Sequence, residues 1–489
     1  MNMENNKNGS KAVKAGVGYT VGNMLVKGIT FLTIPVFTRL MSTESYGVFN
    51  TFNSYMTILA IFVGLALHSS VKNAKYDFPG KLSSYTSSVI VLILLNAVFL
   101  GVLALVFSKQ LSALTSYSVL MLMLLVAESL ANSLLSLYNC TLAIDFRYKE
   151  YLGLSFFYSI GSVALSILLI TTKYSGENAY LGRIIGSVVP VSLIAAYIIV
   201  RSFVSAKPKI SKTYWKYGLA ISLPLIPHGL SQILLNQCDR IMIERMVGSR
   251  EAGLYSLAYN IATLYFVLIT SADTAWTPWF YERMNAGDEK GIRKNTAVYT
   301  ALMSIVSILI FVGGPFLVTV MGSEDYYTSR SLIIPLIYSM FFSFLYTMPV
   351  AVEYYHKKTK LVASATVVSA VLNIVLNYFC IRAFGYEAAA YTTVFCHLAY
   401  FIFHMIFAYR IMGKFVFNIK AMAICTAAVT VAAVVCLVFL DEILKFWNLV
   451  FFTPAILIPL VVVLLAALTV ALINIKKILA FVNKLLGRE

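Results

Sequence analysis

Roughly 14 apolar runs of about 20 residues follow one another along this 489-residue chain. Each is long enough to cross ~30 Å of hydrocarbon as a helix. The runs are read at 16–37, 47–67, 84–107, 117–140, 151–171, 179–200 and 217–238, then at 252–273, 295–320, 331–351, 360–381, 386–409, 420–440 and 449–473. A backbone in lipid must satisfy its own polar groups, so runs of this length rich in Leu, Ile and Val predict helices. A membrane barrel would show alternating segments of ~10 residues, and these are absent. The fold class expected is therefore an all-α integral membrane bundle. The run at 16–37 follows a short basic stretch, as a secretory signal would. It carries Asn23 and Lys27 and lacks a small-residue cleavage site, so it reads as a retained first helix.

Charge fixes an orientation for the bundle. The formal net charge is +17 although only 12% of residues are charged. Taking the gaps between runs in order, 27 of the 38 basic residues fall in the termini and in alternate gaps. Examples are Lys72, Lys75 and Lys81, the group Arg201, Lys207, Lys209, Lys212 and Lys216, and Lys357, Lys358 and Lys360. The opposite gaps share nine, among them Arg39, Arg245 and Arg330. The positive-inside rule then places both termini in the cytoplasm and the basic loops against an anionic leaflet. The cations are scattered over short loops with no basic domain, which argues against a nucleic-acid partner.

Of the two longest basic gaps, 201–216 divides the chain near its middle, and a repeat supports the division. Arg39-Leu40-Met41 with Tyr46-Gly47-Val48-Phe49 matches Arg245-Met246-Val247 with Ala252-Gly253-Leu254-Tyr255, at an offset of 206 residues in both parts. Each copy lies between the first two helices of its half. Six helices per half is an even number, so the halves are expected to be parallel repeats about an axis along the membrane normal. The expected organisation is a cytoplasmic tail 1–15, an N-lobe 16–200, a cytoplasmic linker 201–216, a C-lobe 217–410, an appended helix pair within 411–473, and a cytoplasmic tail 474–489. Trp215, Trp276, Trp279 and Trp447 fall at run boundaries, where indole rings favour the headgroup region.

Ions inside the apolar runs are the candidates for function, because a charge at the bilayer centre costs about 2.5–3.5 kcal/mol on insertion scales. Lys27 shares a polar face of the first helix with Thr20, Asn23 and Thr30, and Arg183 lies beside Gly182 and Gly186. Glu128 is central in the fourth helix, and Asp239 ends a polar face built from His228, Gln232 and Asn236. Either these line a wet, cationic cavity or they form salt bridges that hold the bundle together. Pro224, Pro227 and Gly229 fall within six residues and predict a kink or a hinge. Asn373 with Asn377, and His397 with His404, read as interhelical hydrogen-bonding groups. The six cysteines lie in or at the ends of apolar runs without metal-ligand spacing and read as small buried hydrophobes. No Walker-type loop, metal cluster or nucleophile elbow occurs in the sequence, so no cofactor and no enzymatic reaction is expected.

Three segments carry a family resemblance: Thr38-Arg39-Leu40-Met41 with Tyr46-Gly47-Val48-Phe49, then Asp239-Arg240-Ile241-Met242-Ile243, then Ala252-Gly253-Leu254-Tyr255-Ser256-Leu257-Ala258-Tyr259. With the helix count and half-repeat, the chain resembles the Wzx-type flippases of the multidrug/oligosaccharidyl-lipid/polysaccharide (MOP) superfamily. The resemblance implies two six-helix lobes forming a V around a central cavity, plus a C-terminal helix pair. It also implies alternating access in a bacterial or archaeal cytoplasmic membrane, and a cargo of polyprenyl-pyrophosphate-linked oligosaccharide moved to the outer leaflet. Glycosyltransferases and a polysaccharide polymerase would be its functional neighbours. For such a cargo Lys27, Arg183 and Arg39 are the expected head-group contacts, and Asn23, Gln232 and Asn236 the polar cavity face. Glu128 and Asp239 are the expected ion- or proton-coupling groups, and Pro224 and Pro227 the hinge. Two relatives within the superfamily remain as alternatives. A peptidoglycan-precursor flippase also has 14 helices, but its arginine-rich cavity pattern is not evident. A drug/cation antiporter would need acidic residues to dominate the cavity.

Overall fold

A computed structural model describes the backbone of residues 2–452, and the side chains of residues 18–451 other than 20, 21 and 24. Its regular structure is helical throughout. The first half contains α1 (Asn2–Leu40), α2 (Thr43–Gly64), α3 (Val71–Asp77), α4 (Leu82–Val106), α5 (Ser108–Thr115), α6 (Val119–Ile144), α7 (Tyr148–Thr172) and α8 (Ala179–Ser205). There follow α9 (Lys212–Ser222), α10 (Ile226–Met246), α11 (Ser249–Asn285), α12 (Glu289–Met321) and α13 (Ile333–Tyr355). The described chain ends with α14 (Thr359–Phe384), α15 (Ala388–Met412), α16 (Ile419–Val438) and α17 (Leu440–Phe452).

Among the described residues 12 segments are long and apolar enough to cross a membrane, and they coincide with the second to thirteenth expected runs. The first run forms the later part of the 39-residue α1, which also takes in most of the expected tail. The fourteenth run, 449–473, starts at the end of α17 and otherwise lies outside the described residues, as does the C-terminal tail. The expected fold class holds, and the count of 14 reaches beyond what is described.

The proline-rich segment breaks its span as its chemistry requires. α9 stops at Ser222, a 3-10 turn covers Leu223–Leu225, and α10 starts at Ile226. Pro224 and Pro227 each lack the N–H that would continue the ladder across the turn. Ser42 and Ser118 cap α2 and α6 by accepting from the amides of Ser45 and Met121.

The chain forms two compact units. The first contains Met1–Ser256 and Asn377–Tyr386. Its core is apolar and runs through α4, α6 and α8, with Leu67, Val71, Tyr85, Ile90, Leu134 and Val191 all buried. The second contains Leu257–Leu376 and Glu387–Glu489. Within it α13 is buried along most of its length. Trp276 and Trp279, expected at run boundaries, belong to this second core. Both are almost fully buried, and Trp276 stacks on Tyr299 with ring centroids 4.9 Å apart. The reason is that α11 continues 12 residues past its apolar run, to Asn285, and turns an aromatic face inward.

Candidate functional site

Every charged or polar residue expected at the site lies in the first unit, and the structure divides them into three places. The first is an open face of α1. Asn23, Lys27 and Thr30 are all exposed at helical spacing, and a Cβ placed on Gly28 would meet no atom within 4 Å. Lys27 has no ion-pair or hydrogen-bond partner among the described residues. Asn23 is tied down by Tyr151 of α7, whose hydroxyl donates to its side-chain oxygen.

The second place is the interior of the first unit, around Arg183. One guanidinium nitrogen of Arg183 donates to Ser162 Oγ at 3.1 Å and to Ser166 Oγ at 2.8 Å. The guanidinium also lies 4.0 Å from the ring centroid of Phe37 and 4.6 Å from that of Phe49. Desolvated contacts of this kind are worth up to about 2 kcal/mol each. Gly186 makes the arrangement possible, since a Cβ there would come within 2.1 Å of Ser166 Oγ. On α6, Glu128 is fully buried, and both carboxylate oxygens lack a hydrogen-bond partner among the described residues. Arg183, Tyr158 and Ser187 are its polar neighbours. The Ser187 hydroxyl donates to Ile184 O at 2.9 Å instead.

The third place is the far end of α10. Asp239 is 1% exposed and accepts from the Tyr255 hydroxyl and from the Asn377 amide, each at 2.6 Å. Gln232 and Asn236 stand half-buried further back on the same helix, and Asn236 donates to the Gln232 carbonyl at 2.7 Å. Arg245, about two turns further along, donates to Ser116 Oγ at 2.6 Å and Ala113 O at 3.1 Å.

The three expected head-group cations are not gathered at one point. Twelve residues of α1 separate Lys27 from Arg39, a rise of ~18 Å. Arg39 is exposed and donates to the Pro35 carbonyl at 2.9 Å, so it caps the end of its own helix. Arg183 touches Phe37, two residues from Arg39 and ~15 Å along the helix from Lys27. Along α1, Lys27 is therefore set apart from the contacts of both arginines.

Two features were not read from the sequence. Glu353 of α13 and His404 of α15 form a fully buried pair at 2.9 Å in the second unit. The sequence showed His404 within a run but left Glu353 at the edge of a basic gap. The second feature is where the repeat meets itself. Gly47 and Gly253 are each the fifth residue of α2 and α11, and they lie backbone to backbone. A Cβ on Gly47 would fall 1.8 Å from the Ser249 carbonyl oxygen, and one on Gly253 would fall 2.1 Å from that of Thr43. The 206-residue offset of the repeat equates Gly47 with Gly253 and Thr43 with Ser249, so each contact runs from the glycine of one copy to the first helical residue of the other.

The fold is that of a multi-pass helical membrane protein with ionisable groups buried inside it. Comparison with solved structures finds the same fold. The chain matches an inward-facing multidrug resistance MATE family transporter of the MOP superfamily with a TM-score of 0.63 at 14% identity, covering 82% of this chain and 98% of the other. It matches the lipid II flippase MurJ in an inward closed conformation with a TM-score of 0.64 at 15% identity, covering 90% and 99%. Sequence assigns it more narrowly. The model of the family described as polysaccharide biosynthesis protein matches residues 13–284, more than half of the chain, and the MatE model matches 224–379. The chain belongs to the polysaccharide biosynthesis protein family of membrane proteins. Relatives include a protein of the Lsg locus of Haemophilus influenzae, 24% identical over 74% of this chain and 90% of that one. Another is the "probable low-salt glycan biosynthesis flippase Agl15" of Haloferax volcanii, 22% identical over 78% and 80%. The family and the fold are those of transporters and flippases rather than of catalytic enzymes.

Proposed function

We propose that this protein flips a polyprenyl-pyrophosphate-linked oligosaccharide, the repeat unit of a surface polysaccharide, from the cytoplasmic to the outer leaflet by alternating access. In this reading the membrane is the cytoplasmic one and both termini face the cytoplasm. The lobes are helices 1–6 and 7–12, and Pro224 and Pro227 let the seventh bend. Glycosyltransferases would supply the cargo and a polymerase would consume it.

The observation that carries the reading is Lys27: a cation within an apolar run, on an exposed polar face, with no partner among the described residues. An ammonium so placed costs energy unless water or an anionic ligand meets it. A pyrophosphate head, losing hydration as it leaves the leaflet, gains most from such a charge. Lys27→Ala should reduce delivery of lipid-linked oligosaccharide to the outer leaflet at least tenfold at normal protein level, and Lys27→Arg should retain most of it. Normal delivery in the alanine variant would remove Lys27 from the head-group site.

Asp239 is the better placed of the two expected coupling carboxylates. It is buried and accepts from Tyr255 and Asn377, so a proton or cation joining it would act directly on a hydrogen-bonded cluster that ties α10 to α11 and α14. Asp239→Asn turns one acceptor into a donor facing the donors of Tyr255 and Asn377. Flipping by this variant should lose its dependence on an imposed proton or sodium gradient. An unchanged gradient dependence would take Asp239 out of the coupling step.

A further inference from the structure

α9 has two faces of opposite character. Tyr214, Tyr217 and Gly218 pack inward. The two tyrosines meet Phe78 with ring centroids 5.0 and 4.9 Å away, and Gly218 lies against Tyr85 and Leu67. The opposite face, from Lys212, Trp215 and Lys216 through Leu219 to Leu223 and Pro224, lines an open trough of about 610 Å³. The spacing of these residues, three and four apart, keeps them on one side of the helix. The Trp215 ring is fixed there by its indole N–H, which donates to the Ser88 carbonyl at 2.9 Å.

Charge and apolar surface are separated along this trough. Both lysines stand exposed in the first two turns, and everything beyond them is apolar. From Lys212 to Pro224 the helix rises ~18 Å, close to the ~15 Å of hydrocarbon in one leaflet. A soluble anion would use the lysines and leave the apolar length bare, whereas a partner helix would meet two cations at the trough's mouth. A molecule with a phosphate at one end and a single-leaflet chain behind it matches both parts.

We infer that α9 holds one anionic glycerophospholipid, its phosphate between Lys212 and Lys216 and one acyl chain along Leu219, Leu223 and Pro224. The bound chain reaches the 3-10 turn at Leu223–Leu225, so the lipid would splint α9 where the span breaks.

The test uses the purified full chain in nanodiscs of phosphatidylglycerol and phosphatidylcholine, followed by native mass spectrometry of the lipid that stays bound. Near a surface each lysine adds about a factor of five for an anionic lipid, so the wild-type preference for phosphatidylglycerol should be roughly ten- to thirty-fold. Lys212→Gln with Lys216→Gln should bring it to about threefold or less. Lys207→Gln with Lys209→Gln removes the same charge from the linker outside the trough and should leave the preference intact. Equal loss in the two double variants would show diffuse attraction by the basic loops and overturn the site. So would an unchanged preference in the Lys212/Lys216 variant. Displacement of the lipid by millimolar glycerol phosphate alone would also overturn it, since the acyl chain would then contribute nothing.

Discussion

Arg183→Ala should both destabilise the protein and stop flipping, and a second substitution separates the two effects. The guanidinium is a cation close enough to act on Glu128, which is fully buried with no hydrogen bond to either oxygen among the described residues. Removing it leaves that carboxylate uncompensated in the membrane interior, at a cost of about 2–4 kcal/mol. Ser162 and Ser166 also lose their donor, and Phe37 and Phe49 their cation. Thermal unfolding in detergent should therefore begin at clearly lower temperature. Glu128→Gln in the same protein removes the orphaned charge and should recover most of the loss. The two residues should show a coupling of about 1–3 kcal/mol in a double-mutant cycle.

Transport by that double variant discriminates between the two readings of Arg183. If the arginine binds the anionic head of the cargo, the Arg183→Ala, Glu128→Gln protein should be stable and still fail to deliver lipid-linked oligosaccharide. Normal delivery by the double variant would make Arg183 the counter-ion of Glu128 and nothing more. The geometry separates Arg183 from Lys27 by ~15 Å along α1, so the two cations would act at successive positions of the head rather than together. Lys27→Ala and Arg183→Ala should then block different stages, with substrate cross-linked near Lys27 in the arginine variant.

What the sequence disclosed depended on the length scale of each signal. Apolar runs of 20 residues locate the spans, although some helices run on past them by two or three turns, as α10 and α11 do. Helices α3 and α5, of seven and eight residues, lie in the gaps and are too short for such a window. The inward packing of Trp276 and Trp279 was not legible because hydropathy ends where the apolar run ends. Nothing local says that α11 continues for three more turns with its rings turned inward. Arg183 was legible as an ion in the wrong solvent. Its partners were not, because Ser162 and Ser166 are ordinary residues whose role depends on the close approach of α7 and α8 at Gly186. Tyr255 and Asn377 met Asp239 for the same reason: the contact joins residues 16 and 138 positions away. Single-residue oddities survive in a sequence, but the packing that gives them partners does not.

The internal repeat illustrates this, and it carries the second large prediction. The motif showed that Gly47 and Gly253 are equivalent, while only the structure shows that they touch. Each glycine removes the one atom that would keep α2 and α11 apart, as small residues do wherever membrane helices cross closely. The obstacles to a side chain are backbone carbonyls at 1.8 and 2.1 Å, which cannot rotate away as a flexible side chain would. Gly253→Val should therefore separate the two helix starts and cost about 1–3 kcal/mol of overpacking. If transport requires this junction to close and reopen, delivery should fall at least tenfold in Gly253→Val, and Gly253→Ala should show a smaller loss of the same kind. Gly47→Ala should resemble Gly253→Ala, and combining the two should cost less than the sum. One added methyl already opens the gap that the second would need. Gly153→Ala is the control, since its Cβ would meet nothing within 4 Å, and it should leave transport unchanged. Wild-type delivery by Gly253→Val at normal protein level would show that the junction can stay apart throughout the cycle. Additive losses in the double alanine variant would show that each glycine makes room for something other than its repeat partner.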